Sequence, residues 1–180
     1  MKITIERIKK LMDNKLKNEI LKKMMSYFEY DNNHINHTYR VLCYAEELSK
    51  YLLTAKIKDI NLDVIIYSAI LHDIGIPACK KKFNSIEGQL QEIEGPPIAR
   101  EILESFSIDE EIIKEVCNIV GSHHSVGEIE TTNFKIIWDA DWLVNLPDVY
   151  DVKDKKNLSE IINNIFLTET GLAKAKFLYL

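Results

Sequence analysis

The stretch AILHDIG, residues 69–75, ends an apolar run with an adjacent imidazole and carboxylate, His72 and Asp73, and follows them with Gly75. Burying either group without a partner is costly. The same residue types recur elsewhere at positions that helical periodicity turns inward. His37 shares a stripe with Val41, Tyr44 and Leu48, and Asp141 shares one with Phe134, Ile137 and Val144. His123 is in line with Ile112, Val116, Ile119 and Val120, and His124 with Ile113, Cys117 and Val120. Asp139 points about 160° away from Asp141 at 100° per residue, so only one of them leads into that core.

A single histidine on an apolar face is ordinarily satisfied by a carbonyl or a water. Imidazoles and carboxylates directed inward from several helices need something shared. A divalent cation meets that need, since carboxylates balance its charge and imidazoles fill further positions. Mixed nitrogen and oxygen donors favour Mn²⁺, Fe²⁺, Co²⁺, Ni²⁺ or Mg²⁺ over a closed structural zinc site. Adjacent helix residues diverge by about 100°, so His72 and Asp73 reach one ion only from a last turn. Gly75 would then release the backbone, and the carbonyl end of the helix dipole would favour the cation.

The elements that must position these groups read as helices. Residues 3–29 form one or two amphipathic helices, with Ile5, Ile8, Leu11, Met12, Leu16, Ile20, Leu21 and Met24 at three- and four-residue steps. A second helix covers 34–53, and a third begins at an Asn61 cap and stops at Gly75–Pro77. Residues 78–93 read as an irregular, charged loop. Helices follow at about 96–106, 109–124, 134–145 and 157–167, with a short one near the end. The fold class is all-α, a single-domain helical bundle around a central metal site. An N-terminal helical segment, 1–30, packs on a core of 31–150, and helices of 151–180 complete the same domain.

Composition narrows the function. With 46% apolar and 28% charged residues the chain is an ordinary globular one. Residues 1–30 carry eight Lys or Arg against four Asp or Glu, so the rest is strongly acidic in a chain of net charge −5. That argues against a nucleic-acid partner. Cys43, Cys79 and Cys117 are far apart, which fits unpaired thiols in a reducing compartment. The start has no signal-type apolar region and no later run approaches a membrane span, so a cytoplasmic location without membrane contact is expected.

Taken together, the segments HTYRVLCYAEEL (His37), LHDIG (His72, Asp73) and WDADWLVN (Asp141) resemble the HD-domain superfamily of metal-dependent phosphohydrolases. Two more segments fit in order: EGPPIAREIL resembles the family's small-residue helix start, and IVGSHHS its paired-histidine segment. The resemblance implies an all-α hydrolase of phosphoesters, acting on a small phosphorylated molecule, nucleotides among the candidates. His37, His72, Asp73 and Asp141 would hold an ion that polarises the phosphoryl group and activates water, with Asp73 and His72 the catalytic pair and Asp73 the orienter or base. A second ion would use His123 and His124. Where some members place another histidine, this chain has Glu94, with Gln91 nearby. Arg40 and the lysines Lys80, Lys81 and Lys82 are candidates for binding substrate phosphate. His34 reads as a surface residue at a helix start, and Trp138 and Trp142 as core. No GYP triplet follows the histidine pair, which argues against cyclic-dinucleotide hydrolysis. Two alternatives stand beside this reading: a di-iron oxygenase, since some relatives perform O₂ chemistry with a fuller ligand set, and a non-catalytic nucleotide-sensing module. Oligomeric state is open.

Overall fold

The computed structural model describes residues 5–54 and 59–180, with side chains from residue 15 onward, so Ile5, Ile8, Leu11 and Met12 lie outside the described side chains. Among the described residues there are nine helices and no strand. In chain order they are α1 (Ile5–Tyr27), α2 (Asn32–Thr54), α3 (Leu62–Leu71), α4 (Ile76–Phe83), α5 (Gly88–Glu104), α6 (Glu110–Val120), α7 (Thr132–Val149), α8 (Lys155–Ile165) and α9 (Glu169–Tyr179).

The centre is α3, whose sequence LDVIIYSAIL is apolar nearly all round. Such a helix is stable only when surrounded. It packs against α1, α2, α6 and α7, and Val64, Ile65, Ala69, Ile70 and Leu71 are fully buried. Burying each of the larger side chains among them, Val64, Ile65, Ile70 and Leu71, contributes about 1.5–3 kcal/mol. Asn61 caps its start as expected, accepting from the backbone N–H groups of Asp63 and Val64. The Asn61 N–H is bound in turn by the Asn133 side chain at 3.0 Å, which ties the start of α3 to the start of α7.

By length and composition Leu62–Phe83 would suffice for a membrane span, contrary to the expectation from the sequence. In the fold this stretch is two helices broken by a turn, mostly buried inside the protein.

Residues 78–93 are not a loop. Lysines favour helix and complement the dipole in its last turn, and Lys80, Lys81 and Lys82 occupy that place in α4. The helix ends at Asn84, whose left-handed φ of 52° halts it. The next helix starts at Gly88 rather than near residue 96, and carries Pro96 and Pro97 in its interior. Gly75 also plays a different part from the one expected: its φ of −70° is right-handed. A Cβ there would lie 2.8 Å from the Gln91 carbonyl oxygen and 3.0 Å from the Gly95 nitrogen. The residue is glycine because two backbones meet at it.

Candidate metal centre

Four segments deliver the side chains. His37 comes from the first half of α2, and His72 and Asp73 from the turn leaving α3. His123 follows the end of α6, and Asp141 comes from the middle of α7. The Nε2 atoms of His37 and His72 are 3.1 Å apart. Asp141 Oδ1 lies 3.1 Å from His37 Nε2 and 3.7 Å from His72 Nε2. Asp73 Oδ2 lies 3.4 Å and 3.3 Å from the same two nitrogens. Its other oxygen, Oδ1, is 3.6 Å from His123 Nε2.

The backbone sets the tautomers. His72 Nδ1 is 2.9 Å from the Ala69 carbonyl and His123 Nδ1 is 2.7 Å from the Val120 carbonyl. A carbonyl only accepts, so both protons sit on Nδ1 and each neutral ring presents an Nε2 lone pair to the cluster. The lone pairs of His72 and His123 therefore face carboxylate oxygens, and the proton that His37 Nε2 can carry is the one donor available in the neutral cluster. His123 Nε2 and Asp141 Oδ1 are buried without an aligned hydrogen bond. Such an arrangement is unfavourable unless a proton or a cation lies within it. The donor set thus suits a divalent ion. Candidate ligand atoms fall into two groups, one of His37, His72 and Asp141 and another of Asp73, His123 and His124, with the atoms of each within 4.8 Å of one another.

The electrostatics agree. Burial alone would lower the pKa of His72, but the carboxylates of Asp73 and Asp141 outweigh it and raise the value to about 9. Burial would raise both acids. The His72 and His123 rings nevertheless hold Asp73 well below the usual carboxylate range, and His37 and His72 hold Asp141 below it. In the protein alone a proton takes the place that a cation would fill.

Other residues are placed elsewhere. Asp139 is fully buried on the opposite side of α7, where its carboxylate accepts from the Leu167 and Thr168 N–H groups at 2.8 and 2.9 Å and from the Thr168 hydroxyl. It holds the segment just ahead of α9, whose cap is Thr168, and does not join the cluster. Glu94 does not reach it either: a salt bridge to Lys82 holds it, so it belongs to neither group. Arg40, three residues beyond His37, is exposed, as are Lys80 and Lys81. These two lysines line a groove of about 1710 Å³ between α1, α4 and α5, together with Tyr27, Phe28 and His34. None of the cluster residues lines that groove. His34 is not a surface residue but is half-buried, stacked on Phe28 with ring centroids 5.1 Å apart and 3.0 Å from Asp31. Trp138 packs against the core and donates to the Ile165 carbonyl at 2.9 Å. All three cysteines are free.

One residue near the cluster had no signal in the sequence. Glu92 on α5 accepts from the His124 N–H and the Ser125 hydroxyl, both at 3.0 Å. Its partners lie more than thirty residues away, beyond the reach of any helical pattern.

Comparison with known proteins gives a consistent result. The model of the HD domain matches residues 34–146. The crystal structure of a predicted HD superfamily hydrolase from an uncultured Thermotogales bacterium is similar, with 27% identity and a TM-score of 0.63 over 89% of this chain and 83% of that one. No curated protein matches the chain.

Proposed function

The chain belongs to the HD-domain family, and from that premise we propose that it is a metal-dependent hydrolase of phosphoesters on small molecules. The observation carrying this reading is that acceptor atoms from four separate segments converge while the Nδ1–H donors of His72 and His123 are tied to backbone carbonyls. His37, His72, Asp73 and Asp141 would hold the ion. When bound, a divalent ion supplies Lewis acidity that polarises a phosphoryl oxygen and lowers the pKa of water.

The chain's own residues do the rest. The carbonyls of Ala69 and Val120 fix two ring orientations, so little reorganisation is required on binding. Asp73 stays ionised, and its carboxylate is the group that orients water or accepts its proton. Arg40, exposed one turn along α2 from His37, is the candidate to receive phosphate oxygens, whereas Lys80 and Lys81 line a groove that holds none of the cluster residues.

The division of Asp73 supports a pair of ions. Its Oδ2 faces His37 and His72, while its Oδ1 faces His123. A second ion would take Asp73, His123 and His124. The same pair of groups would suit a di-iron oxygenase, so the deciding experiment has two arms. Elemental analysis of gently purified protein is followed by a phosphoester panel with Mn²⁺, Fe²⁺, Co²⁺, Ni²⁺ and Mg²⁺. Metal-dependent phosphate release is expected. Bound iron with O₂ consumption and no phosphate release would favour the oxygenase.

A further inference from the structure

We propose that Glu92 is a positioning residue for the second group of metal ligands, through the turn that carries His123 and His124. This rests on the reading that Asp73, His123 and His124 hold an ion of their own. Past Gly121 the turn has two backbone hydrogen bonds, Ser122 N–H to the Ile119 carbonyl at 3.1 Å and Ser125 N–H to the Ser122 carbonyl at 2.9 Å. Neither bond fixes the turn against the rest of the protein. Glu92 does, reaching across from α5 with one oxygen on the His124 N–H and the other on the Ser125 hydroxyl, each at 3.0 Å.

The packing around these bonds points the same way. A Cβ on Gly88, one turn before Glu92, would lie 2.8 Å from His124 Cδ2 and Cγ, so the missing side chain makes room for that ring. On its other side the His124 ring meets the His123 ring, with centroids 3.9 Å apart. A Cβ on Gly121, at the start of the turn, would lie 3.1 Å from Pro96 Cγ on the same helix. Helix α5 therefore forms a template for the turn, and Glu92 is its polar anchor. His123 is held at Nδ1 by the Val120 carbonyl, with Nε2 3.6 Å from Asp73 Oδ1, so it is the His124 ring beside it whose position depends on how Glu92 seats the turn. Removing such a supporting partner typically lowers metal affinity about 10–100-fold.

The test is a calorimetric titration of chelated protein with Mn²⁺, run on the wild type, Glu92→Ala and Glu92→Gln, with a thermal melt of each chelated protein. We expect two ions per chain in the wild type. In Glu92→Ala one site should lose about 10–100-fold in affinity while the other is unchanged. Glu92→Gln, with one acceptor oxygen in place of two, should fall between. Two sites of wild-type affinity in Glu92→Ala would overturn the proposal. So would equal weakening of both sites with a lowered melting temperature, which marks a merely structural role. A wild type that takes up a single ion would overturn the two-ion reading itself, a failure visible before any variant is made.

Discussion

The Nε2 atoms of His37 and His72 lie 3.1 Å apart, nitrogen to nitrogen, on side chains from different segments. His72 already donates its Nδ1 proton to Ala69, so its Nε2 is a lone pair in the neutral ring. Two imidazoles approach in this way when a proton or a cation lies between them, here either the Nε2 proton of His37 or a metal ion. The carboxylates of Asp73 and Asp141 lie within 3.7 Å of both nitrogens, so a cation at this point would meet two imidazoles and two acids.

A proton and a metal ion compete for this place, and pH separates them. The pKa of His72 is raised from 6.5 to about 9. In metal-free protein the protonated ring adds stability that is complete below pH 6.5 and lost as pH rises through about 9. Ion binding needs the ring unprotonated, so affinity should rise up to about tenfold per pH unit across the same window. Melting curves of chelated and metal-loaded protein should thus diverge from pH 6.5 to 9. A constant or narrowing gap would contradict the shared site.

Asp139 and Asp141, two residues apart on α7, should behave differently. Asp139→Ala leaves the Leu167 and Thr168 N–H groups, just ahead of α9, without their acceptor, which should cost about 1–3 kcal/mol, with the ion retained. Asp141→Ala should lose the ion. Parallel melting and metal analysis distinguish the two, and loss of the ion in Asp139→Ala alone would be the wrong pattern.

Gly75→Ala should destabilise the protein by about 1–3 kcal/mol, because the atoms a Cβ would meet are backbone and cannot swing aside. In a chain of this size that corresponds to a fall of roughly 2–4 °C per kcal/mol. An unchanged melting temperature would show that α4 and α5 can part at this point without cost.

Glu94→Gln should leave metal content unchanged, since Lys82 is the partner of this carboxylate. A variant that lost an ion would return Glu94 to the ligand set.

Of the cluster, His37 and Asp141 were legible in the sequence because they sit on helices with a clear apolar stripe. His72, Asp73, His123 and His124 were reached by extending the patterns of α3 and α6 past their ends into the turns that follow. His37 on the Val41–Tyr44–Leu48 stripe and Asp141 on the Phe134–Ile137–Val144 stripe are turned inward by local periodicity alone. Helix α4 was not legible, because its lysines leave no apolar stripe to read and it is recognised only by what it packs against. Gly75 was misread for a related reason. A glycine after an apolar helix is usually a conformational stop, whereas this one makes room for α5. Glu92 carried no local signal, since its role is defined by partners on a distant turn.

The most direct test of the shared centre is the divalent metal content per chain of dialysed wild-type protein beside that of His72→Ala and Asp73→Ala, each shown to be folded. The wild type should retain at least one tightly held ion, and both variants should lose it together with phosphoester hydrolysis. A folded His72→Ala protein that keeps its metal and hydrolyses substrate at the wild-type rate would contradict the account.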